Sequence, residues 1–121
     1  MGLSSDRSRN AVSSPLGEPI ILKVGNRLPA LVANLFDPTG KPASLPGTVT
    51  FRMREVFTRR SKITAGVVTL QDPATASVRY DWQAADTDTP AEYEGHFDHD
   101  QGGGIVESFP SNGAIRIRIE P

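Results

Sequence analysis

Strict alternation of apolar and polar residues marks this chain from residue 19 onward. In "TVTFRMRE" Val49, Phe51 and Met53 face one way, and Thr50, Arg52 and Arg54 face the other. The same period of two places Val78, Tyr80 and Trp82 on one side of a strand, and Tyr93, Gly95 and Phe97 on one side of another. Near the end, Ile115, Ile117 and Ile119 alternate with Arg116 and Arg118. "PIILKV" and "RLPALVANLF" add two strands, "VVTLQ" and "IVESF" two more. Turn signals separate them: Gly25-Asn26, "DPTGKP", "DPAT", "DHDQGGG" and "PSNG". "FTRRSKITAG" is less regular and reads as a connection with room for a short strand. The spacing predicts seven to eight short strands and an all-β, antiparallel sandwich or barrel.

Residues 1–18, "MGLSSDRSRNAVSSPLGE", do not share this pattern. Five serines and few large apolar groups cannot offset the entropy of ordering. The division expected is an extended N-terminal arm over 1–18 and a sandwich over 19–121. Leu3, Val12 and Leu16 would anchor the arm on a neighbour, with Arg7 and Arg9 adding charge contacts.

Composition narrows the chemistry. A length of 121 residues fits one core, and 11 glycines with 10 prolines favour turns over helices. No cysteine is present, which removes disulfides, thiolate catalysis and cysteine-ligated zinc. A net charge of −1 gives no global attraction to nucleic acid or to a membrane surface. No apolar run approaches a signal-peptide core or the roughly 18 residues of a membrane span. "MGLSSD" places Asp6 where a myristoylation site wants Ser or Thr.

The region "VRYDWQAADTDTPAEYEGHFD" holds the single Trp and both tyrosines. Tyr93, just after a proline-containing corner, fits a tyrosine corner, with its hydroxyl bonded back to the turn backbone. Tyr80, Trp82, Tyr93 and Phe97 are then expected as structural residues, core neighbours on a paired hairpin. "HFDHD" is the one stretch with metal-ligand chemistry: His96, Asp98 and Asp100 on one face, His99 on the other. It lacks a recognised ligand spacing, so no metal or other cofactor is expected. Ser108 has no histidine partner at a triad-like place, and "GGG" lacks the Lys and Ser/Thr of a phosphate loop. Arg52, Arg54, Arg59, Arg60 and Lys62 form the main basic cluster. Because interfaces are enriched in arginine, a contact with an acidic protein neighbour is the functional role it suggests.

The motif order "GNRLPALVANLFDPTGKPASLPGTVTFRMRE", "GVVTLQDPATASVRYDWQAADTDTPAEYEGHF" and "FPSNGAIRIRI" resembles the N-terminal domain of phage baseplate upper proteins. The shared places are the "LP" at Leu28-Pro29, the Asp37, Gly40, Pro42 turn, Phe51-x-Met53-Arg54, Tyr80-x-Trp82, Asp86-Thr87, Tyr93, Phe97, and Phe109-Pro110 with Gly113. The resemblance spans about residues 19–120. It implies an immunoglobulin-like virion domain of tailed phages, acting as an assembly module and not as an enzyme. Its partners would be other virion proteins of the tail, neck or capsid, met in multiple copies. The chain closes at Pro121, without the modules that follow this domain in baseplate proteins. The expected role is therefore a small accessory subunit of the tail, baseplate or head-tail connector region, made in the host cytoplasm and resident in the virion. The alternatives are a capsid decoration protein, or a carbohydrate- or receptor-binding module using the loops around Gly102–Gly104.

Overall fold

The computed structural model describes residues 10–15 and 18–121. Nine strands lie in that portion: β1 (Ala11–Ser13), β2 (Ile20–Lys23), β3 (Leu31–Phe36), β4 (Thr48–Glu55), β5 (Ser61–Asp72), β6 (Ser77–Tyr80), β7 (Ala91–Asp100), β8 (Val106–Phe109) and β9 (Ile115–Glu120). One short 3-10 turn, Ala84–Thr87, leads from β6 to β7.

One sheet runs β1-β3-β6-β5 and the other β5-β4-β7-β9-β2, with β8 paired to the far half of β7. The order β1-β3-β6-β5 corresponds to A-B-E-D of an immunoglobulin sandwich and β4-β7-β9 to C-F-G, with β2 added at the edge. The chain is thus an all-β sandwich, as its alternation predicts. β5 belongs to both sheets. Its first half pairs with β4 (Phe51↔Gly66, Met53↔Ile63), and its second half pairs with β6 (Val68↔Tyr80, Leu70↔Val78).

Three features depart from expectation. The sandwich is not wholly antiparallel: β2 runs parallel to β9, Ile20 opposite Ile117 and Leu22 opposite Ile119. After β1 the chain crosses to the other sheet without reversing, so it meets the edge strand β9 heading the same way. β structure also begins at Ala11, inside the segment read as an arm, because β1 pairs antiparallel with β3 (Ala11↔Phe36, Ser13↔Asn34). Val12 is half-buried against the molecule's own core. Leu3, Arg7, Arg9 and Leu16 lie outside the described residues. Finally, the short strand allowed for in "FTRRSKITAG" is continuous with the one expected at "VVTLQ", and together they make the 12-residue β5. Gly66 hides the alternation there, and the reason is steric. Tyr80 packs so close to Gly66 that a Cβ would collide with its ring.

The core follows from the alternation. Phe51 and Met53 from β4, Leu31, Ala33 and Leu35 from β3, Val78 and Tyr80 from β6, Phe97 from β7 and Ile115, Ile117 and Ile119 from β9 are all buried. Phe51 is the hub of its aromatic part. Its ring centroid lies 5.0 Å from Tyr80, 5.1 Å from Phe97 and 6.0 Å from Trp82, the last edge-on. Tyr80 and Trp82 also meet edge to face at 5.5 Å. Such tilted and T-shaped contacts suit the ring quadrupoles. Gly95 on β7 leaves room for the Phe51 ring; a Cβ there would stand 2.8 Å from it.

The expected paired hairpin is absent. β6 pairs with β3 and β5, whereas β7 pairs with β4, β8 and β9. The aromatics meet across the sandwich instead. Corners of "DTDTP" type cross between sheets, so the strands on either side face one another through the core.

The tyrosine corner is present. Tyr93 donates its hydroxyl proton to the Thr89 carbonyl at 2.8 Å. Tyr93→Phe keeps the packing and removes this bond, so it should destabilise the fold by about 0.5–1.5 kcal/mol in equilibrium urea unfolding. An unchanged midpoint would show that the bond adds nothing.

Candidate docking surface

The basic cluster divides into two parts once folded. On the outer face of β4, Arg52 Nε donates to Asp98 Oδ2 at 2.7 Å, and Arg54 Nε donates to Glu94. Both acids come from the neighbouring strand β7, set by the register Arg52↔His96 and Arg54↔Glu94. Lys62 Nζ bonds Asp88 beside the corner. That bond raises the Lys62 pKa and holds the Asp88 carboxyl below its usual range. These three cations are committed to acids of their own chain, and as partly exposed pairs they add little to stability.

Arg59 and Arg60 differ. They sit on the β4–β5 hairpin tip, residues 56–60, and among the described residues neither has an ion-pair partner. The tip is closed by backbone bonds from Glu55 N to Arg60 O at 2.8 Å and from Arg59 N to Glu55 O at 3.0 Å. Val56 N donates to Glu92 O at 2.9 Å, which ties the tip to the start of β7. Arg59 takes φ of +63°, a left-handed conformation that a non-glycine residue adopts only at a cost. Two residues before it, Phe57 stands 78% exposed.

Phe57 has the same parity as Val49, Phe51 and Met53. β4 ends at Glu55, however, and the turn carries Phe57 out past the end of the sandwich. There it borders a cleft of about 650 Å³ with Pro90, Ala91, Ile119 and Pro121 at its apolar base and Lys23, Glu55, Glu92, Arg118 and Glu120 around the rim. The Arg118–Glu92 pair, at 3.2 Å, spans part of that rim. On the other side of the hairpin, Arg52, Arg54, Arg59, Ser61 and Thr64 line a second cleft of about 280 Å³ over Met53 and Ile63.

In "HFDHD" the pleat keeps His96, Asp98 and Asp100 on the outer face and turns His99 inward, as expected, but each of the outer three is engaged separately. His96 Nε2 bonds the Gly113 carbonyl at 2.7 Å. Asp98 takes Arg52 and also accepts from Ser108 Oγ at 2.7 Å. Asp100 Oδ1 accepts from Gly102 N at 2.8 Å. His99 points inward and is fully buried, held between the Pro46 carbonyl and Glu107 Oε1, the latter at 2.8 Å. Among the described residues no group of three or more His, Cys, Asp or Glu side chains could hold a metal ion. Gly102, Gly103 and Gly104 all take positive φ and make a tight tip, followed by the exposed Ile105 and Val106.

Behind the surface lies a buried polar knot. Tyr80 donates its hydroxyl proton to Asp86 Oδ2 at 2.6 Å, and the same oxygen accepts from Gln83 N at 2.7 Å. Trp82 Nε1 donates to the Pro29 carbonyl at 3.2 Å, while Arg27 Nε donates to the Trp82 carbonyl at 3.0 Å. Burial, reinforced by the Asp86 bond, pushes the Tyr80 pKa far above the ordinary tyrosine range. The folded state therefore holds this proton more tightly than the unfolded chain. The resulting stability is complete below about pH 10 and is lost as the pH rises beyond it. Denaturant midpoints measured up the alkaline range should fall more steeply for the wild-type protein than for Tyr80→Phe. Parallel curves would contradict this assignment.

Neither the protein-family models nor the curated proteins compared with this chain produced a match.

Proposed function

We propose that this protein is a non-enzymatic structural subunit of a tailed-phage virion, an accessory piece of the tail, baseplate or head-tail connector region. It docks on other virion proteins through the β4–β5 hairpin and its free strand edges. The observation that carries the docking reading is Phe57, exposed on a tip whose two arginines have no ion-pair partner among the described residues. An aromatic flanked by arginine is the composition found at the energetic centre of protein interfaces. The strand edges support it: β1 and β2 end their sheets, and the first half of β5 pairs on one side only. Unpaired edges are templates for a partner strand. The virion assignment rests on the motif resemblance over residues 19–120.

Two measurements test the two levels of this proposal. Mass spectrometry of purified particles should detect the chain as a stoichiometric component; its absence would defeat the virion assignment. A Phe57→Ala/Arg59→Ala/Arg60→Ala variant should keep the wild-type unfolding midpoint and enter particles poorly. Incorporation at the wild-type level would place the contact elsewhere on the molecule.

A further inference from the structure

The two ends of the sandwich carry different chemistry, and the strand register shows which groups share an end. Glu55 pairs with Tyr93 and Thr48 with Asp100, so the β4–β5 tip lies at one end of β7 and the β7–β8 tip at the other. β5 runs away from the first tip, which brings Asp72 to the second end. Asn34 pairs with Ser77, and Ser77 with Asp72, so the turn after β3 is there too.

That second end presents three aspartates on turns. Asp37 Oδ1 accepts from Thr39 N, Thr39 Oγ1 and Lys41 N; Asp72 Oδ1 accepts from Ala74 N; Asp100 Oδ1 accepts from Gly102 N. In each case Oδ1 fixes the side chain in place, and Oδ2 has no bond within the described residues. The Thr39 hydroxyl bond lowers the Asp37 pKa, so that carboxylate keeps its charge. Lys41 is the basic residue of these turns. Beside them Ile105 and Val106 are 61% and 56% exposed. At the first end stand Arg59, Arg60 and Phe57, with Lys23, Glu55, Glu120 and the Arg118–Glu92 pair around the cleft that Phe57 borders, so the basic groups the tip itself offers to a partner are its two guanidiniums.

We infer that the protein associates head to tail with a second copy of itself, the Phe57, Arg59 and Arg60 tip of one molecule meeting the Asp72, Asp100 and Ile105 end of the next. Charge complementarity selects this occupant: guanidiniums without an ion-pair partner among the described residues face carboxylates already held rigid, and each end supplies an apolar contact to desolvate the pairs. The two patches differ, so the interface is heterologous. Such a contact propagates into a ring or a filament and does not close as a two-fold dimer. This association does not depend on the virion assignment, since it needs no other protein; in a filament it fills the tip of every copy but the terminal one, whose tip stays open for the docking proposed above.

The chain has no cysteine, which permits a direct test on the full-length protein. Under mild oxidation, Phe57→Cys/Ile105→Cys should yield a ladder of disulfide-linked oligomers, while Phe57→Cys alone should stay monomeric. No ladder from the double variant, or efficient dimers from Phe57→Cys alone, would overturn the head-to-tail contact. In sedimentation velocity, wild type should form larger species as concentration rises, and less so at high ionic strength. Arg59→Glu/Arg60→Glu should sediment as a monomer, and mixing it with Asp72→Lys/Asp100→Lys should restore the larger species. A wild-type protein that stays monomeric up to its solubility limit would refute the inference.

Discussion

Phe51→Ala is expected to lower the free energy of unfolding by about 3–5 kcal/mol, the range for deleting a buried aromatic side chain. The size follows from position. Phe51 contacts three other rings, Tyr80 and Trp82 from one half of the sandwich and Phe97 from the other. It also lies against Gly95, which has no side chain with which to refill the space. Neighbours on two sheets cannot both collapse into the gap without shifting their own strands. Domains of this size have total stabilities of roughly 5–15 kcal/mol, so the variant should be near the limit of folding at room temperature. Urea unfolding would measure the loss. A cost under about 1.5 kcal/mol would mean that the rings repack freely and that Phe51 is not their hub.

Asp86→Ala should produce the next largest loss, about 2–4 kcal/mol. The carboxylate is buried and its Oδ2 accepts from both the Tyr80 hydroxyl and Gln83 N. Removing it orphans the buried Tyr80 hydroxyl, which costs about 1–3 kcal/mol, and also takes the partner of Gln83 N, where the exposed residue lets water replace part of the bond. Tyr80→Phe removes one donor and leaves the Gln83 bond in place, so it should cost only about 1 kcal/mol. In the double variant the Asp86→Ala penalty should shrink, because one of the orphaned donors is already gone. Additive losses in that cycle would show that Tyr80 and Asp86 act independently.

Much of this architecture can be read from the residues themselves. β4, β7 and β9 are plain in the alternation of Phe51, Phe97 and Ile117 with charged neighbours, because each buries one face only. The tyrosine corner is legible because Tyr93 follows a turn whose backbone needs a partner. What stays hidden is set by contacts distant in sequence. Gly66 looks like a break in a strand until Tyr80 is seen packed on it. Nothing local distinguishes Arg54 from Arg60, and only the register of β7 supplies Glu94 to the first and no acid to the second. Phe57 shares the parity of the core positions on β4, and the alternation alone does not mark it as a surface anchor. Its exposure depends on where β4 stops, which is decided by the bond between Arg59 N and Glu55 O. β1 is three residues in a polar stretch, too short to show a period.

The parallel pairing of β2 with β9 has a mechanical consequence. The chain enters β2 at Ile20, beside Ile117, and leaves β9 at Glu120, beside Lys23. Tension applied between these two points pulls the strands past each other along their length. Their hydrogen bonds are then loaded together in shear and cannot peel away one at a time, as they would if the same pull unzipped an antiparallel pair from its end. Resistance to force is governed by the unfolding rate under load. It would therefore be higher along this axis than across the β4–β5 hairpin, whose antiparallel strands can be opened from the tip.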